Sequence, residues 1–165
     1  MRRINMFHPE HNRRVIVVLC CLALVVLFHA SALAQHFTPA TATNAKQFVG
    51  VWKASFRGSP FLTVTIAIDG NKLVGSVSQA NIELNKAGEL TKAEANDAED
   101  PDPITDARVN GDTLRITTKS TDGSEDSIEA EIRLVANNAA DLRMLVPPDV
   151  PAPKPWRLQR VAAKH

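Results

Sequence analysis

From Phe48 to Val161 the apolar residues recur at every second position, in short runs separated by turn residues. Such a period places one row of side chains on a buried face and the other in water, which a strand satisfies and a helix does not. The clearest run is Leu62, Val64, Ile66 and Ile68, alternating with Thr63, Thr65 and Ala67. Before it, Phe48, Gly50, Trp52, Ala54 and Phe56 share one face, with Lys53, Ser55 and Arg57 on the other. Later, Ile128, Ala130, Ile132 and Leu134 alternate with Glu129, Glu131 and Arg133. Glu and Ala are good helix formers. In a helix, however, charges at every second residue would fall all round the axis.

The turn residues fix how these runs connect. Gly58-Ser59-Pro60, Asp69-Gly70-Asn71, Asn110-Gly111, Asp122-Gly123 and Asn137-Asn138 are short turn signals. Leu73 to Val77, Ile104 to Val109, Leu114 to Ile116, Leu142 to Val146 and Trp156 to Val161 supply the remaining strands. The count is about eight. Short connections favour antiparallel neighbours in chain order. The expected fold is all-β, a single antiparallel up-and-down barrel of about eight strands, which leaves no unpaired edge. A two-sheet β-sandwich is the alternative. Residues 79–103 are the least regular. Ala80 to Leu84 has the pattern of a short extra strand, and 89–97 of a helical turn. Pro147, Pro148, Pro151, Pro153 and Pro155 form a stiff extended connector before the last strand.

Residues 1–34 read differently. Arg2, Arg3, Arg13 and Arg14 precede an apolar run of 14 residues, Val15 to Phe28, and Ala32-Leu33-Ala34 offers small residues for cleavage before Gln35. This is the pattern of a cleavable signal peptide with a helical apolar stretch, and a membrane-spanning helix needs about 20 residues. Asn12-Arg13-Arg14-Val15-Ile16-Val17 also resembles a twin-arginine signal. Leu19 before Cys20 argues against lipidation. The expected layout is signal 1–34, flexible leader 35–47 and β domain 48–165. The expected location is periplasmic or extracellular.

Cleavage would remove both cysteines, three of the five His and four Arg with Glu10, leaving 15 basic and 17 acidic residues. Without a basic stripe, neither nucleic acid nor an anionic membrane is expected as a partner. The remaining His36 and His165 stand at the ends of the domain, and the chain has no Tyr. Nucleophile–His sites and zinc sites lack their residue types, so no enzyme activity, cofactor or metal is expected. Glu94, Asp97, Glu99, Asp100, Asp102 and Asp106 form an acidic segment without the central Gly of an EF-hand loop. It reads as a solvated loop.

Phe48-Val49-Gly50-Val51-Trp52 resembles the Gly-x-Trp signature that opens lipocalin and related calycin barrels. The chain as a whole resembles small exported bacterial proteins of unassigned function. In the lipocalin family the Trp closes one end of the barrel, under a basic residue from near the last strand. The resemblance implies that role for Gly50 and Trp52, with Arg160 as the basic partner. Arg160 shares a strand face with Trp156 and Leu158, unlike Arg157.

The inward row of such a barrel is apolar. Trp52, Phe56, Leu62, Val64, Ile116, Ile132 and Met144 are the candidate lining for a small hydrophobic ligand. The alternative is an envelope-associated interaction or structural module whose core is filled by the same side chains.

Overall fold

The computed structural model describes residues 36–94, 100–121 and 127–162. The signal segment, the Asp122-Gly123 turn, Asp97, Glu99 and His165 lie outside these. In chain order the strands are β1 (Thr38–Pro39), β2 (Gly50–Phe56), β3 (Ser59–Asp69), β4 (Lys72–Gln79), β5 (Asn81–Leu84), β6 (Leu90–Glu94), β7 (Asp102–Asn110), β8 (Thr113–Lys119), β9 (Ser127–Ala136), β10 (Ala139–Leu145) and β11 (Trp156–Val161). Among the described residues, a single 3-10 turn, Lys46–Phe48, precedes β2.

Eight of these strands close a ring, β2-β3-β4-β7-β8-β9-β10-β11 and back to β2, and every pairing is antiparallel. Apart from the inserted β5–β6 hairpin, the ring follows chain order. It is the up-and-down barrel, and the closing β11–β2 ladder excludes the open-edged sandwich. Registration carries the apolar rows inward. Trp52 pairs with Val64 and Val64 with Val77, while Leu114 pairs with Ile132 and Ile132 with Leu142. A one-residue slip would turn each of these rows out into water.

The barrel has two unlike ends. Its lower end carries the turns at 70–71, 111–112 and 137–138 and the 3-10 turn. Its upper end carries the Arg57–Gly58 turn, the β5–β6 hairpin and the connector 146–155. Arg57 takes φ 52, the one positive value among the described non-glycine residues. With Gly58 it makes a two-residue turn suited to the twist of a hairpin.

Two expectations are corrected. The stretch 35–47 is not a free leader from Thr38 onward. β4 and β7 pair directly only at Ser76–Pro103 and Val77–Asp102, and they splay apart below. β1 enters that gap, pairing Thr38 with Val109 and Pro39 with Arg108, and Thr41 bridges to Lys72 on the other wall. Ala40 N donates to Ala107 O at 2.8 Å, and Ala45 is fully buried. The domain therefore begins near Phe37, not Phe48. The helical turn expected over 89–97 is also absent from its described part. Leu90–Glu94 is strand, paired with Asn81–Leu84. Lys92 reaches Glu83 at 3.3 Å and Glu94 at 2.9 Å along that hairpin.

Candidate functional site

The lower end is sealed around Trp52. The ring is fully buried, and its Nε1 donates to Phe48 O at 2.8 Å. Arg160, its registered partner on β11, lies over the indole with the guanidinium carbon 4.3 Å from the ring centroid. The Arg160 Nη2 donates to Gln47 O, which ties the 3-10 turn to the last strand. Gly50 adopts φ 139, a conformation that side-chain-bearing residues rarely hold. The Arg160 stem passes 3.5 Å from where its Cβ would stand. Gly50, Trp52 and Arg160 are thus brought together at one end of the barrel.

The seven candidate lining residues divide into two groups. Trp52, Val64 and Ile132 are 0% exposed, Ile116 1% and Leu62 2%. A side chain beside a water-sized void keeps accessible area on the void's surface, so these five sit in packed core. Leu114, Ala140 and Leu158, also 0% exposed, complete the packing around them. Phe56 and Met144, near the upper end, are only half-buried and rest against the core from its edge.

A hairpin whose first strand alone was expected, at Ala80 to Leu84, covers that upper end. β5 and β6 leave the ring between β4 and β7 and, among the described residues, pair only with each other. Their tip is held by the connector between β10 and β11. Lys154 N donates to Gly88 O at 2.8 Å, and Lys154 Nζ meets Glu89 Oε1 at 2.6 Å. In a ring of eight, the β4–β7 and β10–β11 junctions lie on opposite sides. The hairpin therefore crosses the barrel mouth as a strap. Its Ile82, Leu90 and Ala93 pack against the core beneath.

The strap tip has local reasons for its shape. Asn85 Oδ1 accepts from Ala87 N at 2.9 Å and Glu89 N at 3.0 Å. Gly88 takes φ 74, and a Cβ there would stand 2.4 Å from Ala152 O. Hydrogen bonds from Lys154 first, and then from Asn85, hold the Glu89 carboxyl below its ordinary pKa. The Asn85–Gly88 turn between Leu84 and Leu90 is a sequence signal for this hairpin.

Under the strap end, Trp156 and Phe61 meet edge to face, with ring centroids 5.2 Å apart and an interplanar angle of 87°. Phe61 turns inward with Leu62 because β3 carries a bulge opposite Ala54 and Ser55.

The described part of the acidic segment is tied up locally. Thr121 N donates to Asp102 Oδ1 at 3.0 Å, Thr121 Oγ1 donates to Asp100 O at 3.1 Å, and Asp106 pairs with Arg108 at 2.9 Å. Among the described residues, no group of three or more His, Cys, Asp or Glu is placed to hold a metal ion.

The eight-stranded antiparallel ring is compatible with a lipocalin-like barrel. No protein-family model, no curated protein and no solved structure matches the chain.

Proposed function

We propose that this is an exported, non-enzymatic barrel that holds a small hydrophobic molecule at its upper end, beneath the β5–β6 strap. The observation that carries the reading is the difference between the two ends. Interlocked core residues close the lower end. The upper end is covered by a separate hairpin whose tip is held by one backbone bond and one exposed ion pair. A cover attached this way can lift without opening the ring. The half-buried Phe56 and Met144 then form the edge of the site, with Trp156 and Phe61 as its floor. Arg2 to Ala34, read as a signal peptide, supports a location outside the cytoplasm.

The experiment is to express the full chain in an exporting bacterial host and recover the exported protein. N-terminal sequencing should begin at Gln35. Intact mass under native conditions, followed by organic extraction, should find a small apolar molecule at one per chain. An empty protein that also fails to enhance an apolar fluorescent probe overturns the reading.

The sealed core of Val64, Ile116, Ile132 and Leu158 supports a second reading, a filled module that acts through its surface. The empty-protein result is the one it expects.

A further inference from the structure

The two tryptophans of the chain differ in how their indole N–H groups are treated. Trp52 Nε1 is paired with Phe48 O. Trp156 is 7% exposed, and its Nε1 is cut off from solvent with no hydrogen-bond partner among the described residues. Buried donors are nearly always paired, because an unpaired one loses its bond to water and gains nothing in return.

Its position gives that donor a use. On β11 the residues Trp156, Leu158 and Arg160 share the inward face, and Arg160 marks the lower end by its stack on Trp52. Trp156 is therefore at the upper end of the interior, two residues after Lys154, which holds the strap tip. The contact with Phe61 fixes the plane of the indole.

We infer that Trp156 Nε1 is the hydrogen-bond donor for a ligand with an apolar body and one neutral acceptor, a carbonyl or ester oxygen. The inference rests on the binding function proposed above. The acceptor is neutral because the described buried residues carry no charge, Thr118 being the one polar side chain among them, and the Arg160 guanidinium stands at the far end over Trp52. A carboxylate there would lose its hydration without gaining a counter-ion.

The test uses two probes of matched shape, 2-octanone and octane, titrated into the 15N-labelled exported protein. With two Trp in the chain, the indole region carries two N–H signals, and Trp156→Phe identifies one by its loss. The ketone should bind about fivefold to tenfold tighter than the alkane, the worth of one neutral hydrogen bond. It should also move the Trp156 indole proton downfield, and octane should not. Trp156→Phe, which keeps a ring against Phe61, should abolish the preference and drop the ketone below octane, because its carbonyl is then buried without a partner. Equal binding of both probes with no indole shift sinks the donor role and leaves the binding function standing. Failure of both probes to bind sinks both. If the variant does not fold, the affinity ratio and the indole shift in the unmodified protein still decide.

Discussion

Arg160 and Trp52 are direct partners in the ladder that closes the barrel, and the guanidinium carbon lies 4.3 Å from the centre of the indole. Among the described residues that ladder has three registered pairs, Gln159–Lys53, Arg160–Trp52 and Val161–Val51. The stack therefore supplements a short backbone seam. Trp52→Ala should destabilise the protein by about 3–5 kcal/mol, as large aromatic truncations in packed cores do. Arg160→Ala should cost less, about 0.5–2 kcal/mol for the cation–π contact. Urea unfolding monitored by circular dichroism measures both. A Trp52→Ala loss below 1 kcal/mol would remove Trp52 from its closing role.

Gly88→Ala should free the strap without opening the ring. The new Cβ would stand 2.4 Å from Ala152 O, on a backbone at φ 74. Strain of this kind costs on the order of 1–3 kcal/mol, and lifting the tip relieves it. Hydrogen exchange should accelerate at Lys154 N–H, which loses its acceptor at Gly88, while the amides of β8 and β9 keep their protection. Unchanged exchange at Lys154 would mean the strap is not held at this point.

The latch should be sensitive to acid. Glu89 has its pKa lowered in the folded protein, first by Lys154 and then by Asn85. A lowered carboxyl pKa contributes stability above the unfolded-state value, and that contribution is lost as pH falls through the folded value. The strap is thus held at neutral pH and loosens below the ordinary glutamate range. Exchange at Lys154 N–H, corrected for intrinsic rates, should rise on acidification. Glu89→Gln should flatten that rise. An identical pH profile in the variant would exclude the carboxylate as its source.

Asn44 anchors the strand that fills the β4–β7 gap. Its Oδ1 accepts from Thr41 N at 2.7 Å, and its Nδ2 donates to Pro39 O at 3.1 Å. Asn44→Ala should cost about 1–2 kcal/mol for these bonds. The loss should appear first as faster exchange at Ala40 N–H, whose acceptor is Ala107 O. If Ala40 exchanges no faster in the variant, β1 is held by its ladder alone.

The barrel itself was legible in the sequence because each of its strands satisfies a local rule. Leu62 to Ile68 alternates, Asp69-Gly70-Asn71 turns, and neighbours in sequence became neighbours in the ring. The Arg160–Trp52 contact followed from a short signature and a strand face. β1 was not legible, since two residues have no period and their pairing depends on a gap made elsewhere. Leu90–Glu94 misled because Lys, Ala and Glu favour a helix, and pairing with Asn81–Leu84 overrode that preference. Whether the interior is packed or hollow depends on how volumes meet across registered rows. Ala54, Ala130 and Ala140 are buried in the same interior as Phe48 and Trp52, and no one-dimensional pattern records how such unequal volumes meet.

The strap has a mechanical consequence. It runs as a chord across a circle, anchored where β4 and β7 meet and again where β10 passes to β11. A ring can flare at its rim only if points on opposite sides move apart, and a taut chord opposes that motion. While Gly88 stays docked, fraying of those four strand ends is coupled across the diameter. Once it is released, each side can breathe alone.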